Sequence, residues 1–224
     1  HPVKGVLSPF HFLDAATEFG FGERLDEIIM DKAFAALSAW RKQGLNVPRM
    51  GVNITAEQLR DPFMAERIKW AVDAHDLEPS DICIEILEGV LMEEEGEETA
   101  TNIASLSRIG FHIDLDDFGT GHASIATLQR FSVDRIKFDR SFVTDIDTNA
   151  EQQKVAGAMI DLAHSLDVTA LAEGVETDGE YEQLVRMGCE FLQGFGIARP
   201  MSQDAATEWI SAYDMKTPVS GMTG

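Results

Sequence analysis

Six short apolar runs, each closing on a group able to hold a metal ion or a phosphate, punctuate this chain. They are MGVN (Asn53), ICIEILE (Glu85, Glu88), FHIDLDD (Asp116, Asp117), RIKFD (Lys137, Asp139), ALAEGVE (Glu173, Glu176) and FLQG (Gln193). Each run reads as a strand, and a helical pattern separates most successive pairs. No hairpin signal joins any two, so the alternation calls for a parallel sheet covered by helices. A doubly wound sheet collects its ligand at one switch point, whereas a barrel brings the carboxyl ends of all its strands to one mouth. Polar groups at nearly every strand end therefore favour an α/β barrel. Six strands are two fewer than such a barrel normally has.

Between the strands, Leu25, Ile28, Ile29, Phe34, Leu37 and Trp40 recur at helical spacing over residues 23–43, and Gly44 supplies a stop. Thr55 is placed to cap the turn after the strand at 50–54, and Asp61-Pro62 to open a helix. Further strands are expected at 82–87, 111–115, 135–138, 168–172 and 190–193. Helices are expected at about 94–108, 123–129, 152–166, 179–187 and 205–212. The reading is one domain over residues 1–213, followed by a flexible tail at 214–224.

Composition narrows the partners. Asp and Glu outnumber Lys and Arg by 39 to 18, a formal net charge of −21, so a long nucleic acid is excluded as the natural partner. A small phosphorylated ligand fits, provided metal ions neutralise the pocket. The run Glu93, Glu94, Glu95, Glu97 and Glu98 reads as a solvated helix start favoured by the helix dipole. Cys83 and Cys189 stand far apart on apolar runs and read as buried thiols, and His75, His112 and His164 lack ligand spacing. No apolar stretch is long enough to span a bilayer and no signal peptide is present, which makes the cytoplasm the expected compartment, as a free protein or as the cytoplasmic part of an anchored one.

Asp116-Asp117 is the sharpest element, because adjacent carboxylates at a strand end can each reach a different cation or bridge two. The following Phe118-Gly119-Thr120-Gly121 is a backbone-rich loop able to turn sharply, and His122 continues it. Asp117-Phe118-Gly119 matches a kinase metal triplet, but no phosphate loop or strand lysine of that kind accompanies it. Glu85 and Glu88, three apart, straddle a strand end, so one can face the mouth while the other braces a neighbouring loop. Glu173 and Glu176 repeat the arrangement around Gly174. Asn53 offers a neutral amide oxygen, and Lys137 a cation for a carboxylate, a phosphate or a water. An oxygen-rich set of this kind suits Mg²⁺ or Mn²⁺ rather than Zn²⁺, and two such ions suit hydrolysis of a phosphate ester.

Asn53-Ile54-Thr55-Ala56-Glu57-Gln58, Glu85-Ile86-Leu87-Glu88, residues 116–121, Lys137-Phe138-Asp139, Glu173-Gly174-Val175-Glu176 and Gln193-Gly194 with Arg199-Pro200 resemble, in order and spacing, the EAL-domain cyclic di-GMP phosphodiesterases of bacteria. The resemblance implies a (β/α)₈ TIM-type barrel that opens cyclic di-GMP to linear pGpG with two Mg²⁺ or Mn²⁺ ions. It implies that Asn53, Glu85, Asp116, Asp117 and Glu173 are metal ligands, that Asp116, Asp117, Lys137 and Glu173 are catalytic, and that Lys137 assists at the attacking water. Gln193 and Pro200 would lie near substrate, Glu88 would hold the loop of residues 116–121, and Asp139 and Glu176 would be supporting members. It further implies a homodimer formed through that loop region and an upstream sensory or GGDEF domain. Two departures stand out. The first two strands and the Glu-Ala-Leu motif, which should precede His1, are absent, so the sequence is expected to begin inside a longer chain. Leu87 and His122 replace the family's usual Thr and Tyr. Loss of the motif's glutamate would leave, as the alternative, a receptor that binds cyclic di-GMP and signals through protein contacts.

Overall fold

In the computed structural model, residues 3–5, 7–93, 97–121, 128 and 131–214 are described. Six strands, β1 (Met50–Asn53), β2 (Ile82–Leu87), β3 (His112–Phe118), β4 (Arg135–Phe138), β5 (Thr169–Ala172) and β6 (Phe191–Leu192), form one sheet. Its order is β1-β2-β3-β4-β5-β6, and every neighbouring pair is parallel. Strands that are neighbours in sequence and in space, all parallel, are the order of an α/β barrel and not of a doubly wound sheet. The helices are α1 (Leu13–Glu18), α2 (Gly22–Lys42), α3 (Ala56–Arg60), α4 (Met64–Ala74), α5 (Glu88–Glu93), α6 (Glu97–Ile109), α7 (Ala150–Ser165), α8 (Asp178–Arg186) and α9 (Gln203–Asp214). The sheet curls far enough for α2 and α9 to meet, where the Trp40 indole N–H donates to Thr207 Oγ1 at 2.7 Å.

The two faces of the sheet differ in chemistry. Val52, Ile84, Ile86, Ile113, Leu115, Ile136, Ala170 and Ala172 form the buried layer shared with Phe34, Leu37, Ile68, Ile103, Leu106 and Ile160 of the helices. Side chains alternate along a strand, so the intervening residues turn to the opposite, concave side. That side carries Cys83 and Glu85, Asp114 and Asp116, Arg135 and Lys137. A core on one face and charge on the other is what lets a sheet serve as both scaffold and site.

Several boundaries differ from the sequence expectation for local reasons. Instead of one helix opening at Asp61-Pro62 there are two. Thr55 and Gln58 form a capping box that starts α3, and the Asp61 carboxylate then accepts the Phe63 N–H at 2.9 Å in a turn before α4. The strand expected at 111–115 runs on to Phe118 through a register shift between Leu115 and Phe118. The helix expected from about residue 94 is represented by α5 and α6, and the last helix extends to Asp214. His1, His122, most of the helix expected at 123–129 and the tail from 215 onward lie outside the described residues. Both cysteines are buried free thiols. Among the described residues no helix is long and apolar enough to cross a membrane.

Candidate active site

The carboxyl ends of β2 to β5 converge on one ammonium group. Lys137 Nζ lies 3.0 Å from Glu85 Oε2, 2.9 Å from Asp116 Oδ1 and 2.7 Å from Glu173 Oε1, with only 3% of its side chain exposed. An ammonium has three N–H donors, and three carboxylates surround this one. Burial works against the charge, but Glu85, Glu173 and Asp116 more than offset it and raise the lysine pKa, so it stays protonated at neutral pH.

Asp116 and Asp117 would point to opposite faces of a regular strand. The register shift in β3 coincides with a left-handed Asp117, at φ 55°, which turns the second carboxylate toward the first. Asp is among the few residue types that tolerate this conformation at modest cost. Ligand oxygens of Asp116, Asp117 and Glu173 consequently lie within 4.8 Å of one another. Burial and the neighbouring charges of Asp116 and Asp139 raise the Asp117 pKa. Glu173 is likewise raised, chiefly by burial, although Lys137 pulls it down. Such a field calls for more positive charge than one ammonium supplies. The donors are almost all oxygens at close spacing, and they fit hard divalent cations.

Asn53 stands across from Glu85 in the β1–β2 ladder. Glu88 turns away from the ammonium and, at 2% exposure, accepts the Gly119 N–H at 2.7 Å and the Gly121 N–H at 3.3 Å through Oε2. Asp139 caps a short 3₁₀ turn by accepting the Ser141 N–H at 2.9 Å, and that hydrogen bonding holds its carboxyl below the usual range. Glu176 is not among the converging carboxylates: it is exposed and pairs with Arg140 at 3.0 Å. Gln193 and Pro200 line one pocket of about 390 Å³ together with Phe195, Arg199 and Trp209. The Arg199 guanidinium sits 4.8 Å over the Phe195 ring.

The EAL domain family model matches residues 1–200. This chain belongs to the EAL domain family. The EAL chain is 32% identical over 201 residues to the bifunctional diguanylate cyclase/cyclic di-GMP phosphodiesterase MucR of Pseudomonas aeruginosa, covering 90% of this chain and 29% of that protein. It is 34% identical over 212 residues to the cyclic di-GMP phosphodiesterase PdeR of Escherichia coli, covering 95% of this chain and 32% of PdeR. It thus spans about a third of the length of these relatives. A solved structure of the PaMucR phosphodiesterase in complex with c-di-GMP superposes with a TM-score of 0.84 at 31% identity, covering 92% of this chain and 83% of that one.

One contributor to this EAL site, and one ion pair beside it, escaped the sequence reading. Gly51 pairs with Cys83 in the β1–β2 ladder, and a Cβ on it would overlap Glu85 Oε1, so the carboxylate occupies space that glycine leaves free. Arg140, beside the motif Lys137-Phe138-Asp139, holds Glu176. An isolated Gly inside a strand run is the available signal for the first. Nothing local signals the second, because the pair joins segments that only the fold brings together.

Proposed function

We propose that this EAL domain hydrolyses cyclic di-GMP to linear pGpG in a reaction dependent on Mg²⁺ or Mn²⁺. The observation that carries the reading is the convergence of Glu85, Asp116 and Glu173, from three strands, on Lys137, with Asp117 alongside. Asn53, Glu85, Asp116, Asp117 and Glu173 are the residues that would hold the ions. When bound, divalent ions supply charge neutralisation for the phosphodiester and activation of the attacking water. Lys137 spaces three carboxylates by hydrogen bonds and contributes a permanent positive charge beside the position of the phosphate. Phe195, stacked under Arg199, offers a flat cationic shelf for a purine next to Gln193 and Pro200. Glu88 holds the loop that carries Asp117, and the same loop region is the proposed contact for a homodimer. A sensory or GGDEF domain on the same polypeptide and a cytoplasmic location complete the reading.

The test uses the full-length protein with Mn²⁺ and cyclic di-GMP, with the nucleotides separated by chromatography. The expected result is a linear dinucleotide, lost in both Asp116→Ala and Asp117→Ala while circular dichroism stays native. Full turnover by either variant overturns the metal assignment. Tight binding without any cleavage by the unaltered protein converts the reading to that of a receptor.

A further inference from the structure

Two residues below the mouth on each strand, the concave face carries a second cluster of different chemistry. Cys83 precedes Glu85 on β2, Asp114 precedes Asp116 on β3 with His112 below it, and Arg135 precedes Lys137 on β4. Ligand atoms of Cys83, His112 and Asp114 lie within 4.8 Å of one another. A second and independent observation concerns Asp114, which has no solvent exposure. Its Oδ2 accepts from Arg135 Nε at 2.8 Å and also from Nη2, but its Oδ1 has no hydrogen-bond partner. His112 Nε2 stands 3.5 Å from Oδ1. A fully buried carboxylate oxygen left unsatisfied is costly, and here it points into the Cys–His cluster.

We propose that Cys83, His112 and Asp114 form a second metal site, for a borderline divalent cation of the Zn²⁺ class. Thiolate, imidazole and a single carboxylate oxygen are the donors such an ion selects, in contrast to the oxygen set at the mouth. Bond lengths of about 2.0–2.3 Å place neighbouring donors of a tetrahedron roughly 3.3–3.8 Å apart, so small side-chain rotations close the cluster. The surroundings are those of a ligating histidine: Nδ1 of His112 faces Asp134 Oδ2 at 3.6 Å, and that oxygen is itself fixed by the Ile113 N–H at 2.8 Å. A carboxylate behind the far ring nitrogen orients the imidazole with Nε2 toward the metal. Arg135 stays on Asp114 Oδ2 and approaches Cys83 Sγ at 3.6 Å, offsetting part of the negative charge. A thiol gives up its proton on ligating a metal: the S–H bond breaks, an S–metal bond forms, and the proton goes to solvent. With His112 side chain 17% exposed, the cluster is accessible from the amino-terminal ends of the strands. The ion would staple β2 to β3 beneath the catalytic carboxylates.

The experiment adds Co²⁺ to the metal-stripped full-length protein in excess Mg²⁺, which occupies oxygen-rich sites. One equivalent of Co²⁺ should produce a sulfur-to-cobalt charge-transfer band in the near ultraviolet that Zn²⁺ displaces. Cys83→Ser should abolish the band and Cys189→Ser should leave it. No band at stoichiometric Co²⁺, or a band that survives Cys83→Ser, overturns the proposal. Should Cys83→Ser fail to fold, His112→Gln decides the matter: a loss of Co²⁺ affinity of about tenfold or more supports the site, and unchanged affinity refutes it.

Discussion

Glu88 offers the most decisive perturbation, because its effect can be read without any assay of chemistry. The carboxylate is 2% exposed and accepts two backbone N–H groups, from Gly119 and Gly121, of the loop that follows Asp117. A hydrogen bond to a charged group is worth about 1.5–3 kcal/mol and a neutral one about 0.5–1.5 kcal/mol. Glu88→Gln keeps an acceptor oxygen and loses the charge, so the two bonds together should weaken by about 2 kcal/mol. Glu88→Ala removes both, but Gly119 and Gly121 are exposed, so water recovers part of the loss and the total should be about 3 kcal/mol. Amide hydrogen exchange reports this directly. A loop opening made easier by about 2 kcal/mol should speed exchange at Gly119 and Gly121 roughly 30-fold in Glu88→Gln. The amides of β4 should be unchanged. Cleavage of cyclic di-GMP should fall by about tenfold or more, since Asp117 is positioned by the same segment. Native exchange at both glycines in the Ala variant would refute the reasoning, whatever happened to turnover.

Three further outcomes are expected. Gly51→Ala should displace the Glu85 carboxylate, because the new Cβ would overlap Oε1; cleavage should drop about tenfold with a melting-temperature loss of a few degrees, and kinetics beside a thermal melt check both. Chelator should abolish cleavage, and Mn²⁺ at about 100 times its Kd should add about 2.7 kcal/mol, or roughly 5–10 °C in melting temperature, absent in Asp116→Ala. Glu180 accepts N–H groups from Asp145, Glu176 and Thr177, and although burial opposes the charge these bonds lower its pKa from 4.5. A folded pKa below the unfolded one contributes stability that is complete above pH 4.5 and is lost as the pH falls through the lowered value. Glu180→Gln should therefore cost about 1–3 kcal/mol at neutral pH and progressively less in acid, seen as a shallower stability–pH curve in urea titrations.

The parts of the fold legible in sequence were those set by local periodicity. Runs such as ICIEIL and RIKF are both apolar enough and short enough to be strands, and β2 and β4 have the expected bounds. Of the groups at the strand ends, Glu85, Asp116, Asp117, Lys137 and Glu173 come together, since parallel strands in sequential order align their carboxyl ends. What stayed illegible depends on pairing between distant segments. The extension of β3 to Phe118 needs Asp117 in a left-handed conformation, which the neighbouring strand imposes and no local signal requires. Glu176 closes the motif Glu173-Gly174-Val175-Glu176, and its partner Arg140 comes from a distant segment that no local pattern links to it.

The same dependence on register explains why Cys83, His112 and Asp114 read as bland residues along the chain. His112 and Asp114 stand two apart on β3, but Cys83 lies on β2 with no such partner in its own segment. Register brings them together, because Cys83 pairs with His112 and Glu85 with Asp114 across β2 and β3. Moving β3 by one residue against β2 would turn Asp114 and Asp116 into the apolar layer and Ile113 and Leu115 into the mouth. One register therefore fixes both sites at once. Two charge pairs on the concave face join adjacent strands: Asp114 with Arg135, and Asp116 with Lys137. A slipped alignment would bury carboxylates without partners, so the polar face helps select the register that the apolar face rewards. Catalytic geometry and strand pairing are on this account one specification, and a variant that disturbs the Asp114–Arg135 pair should reach the mouth through the strands and not through solvent.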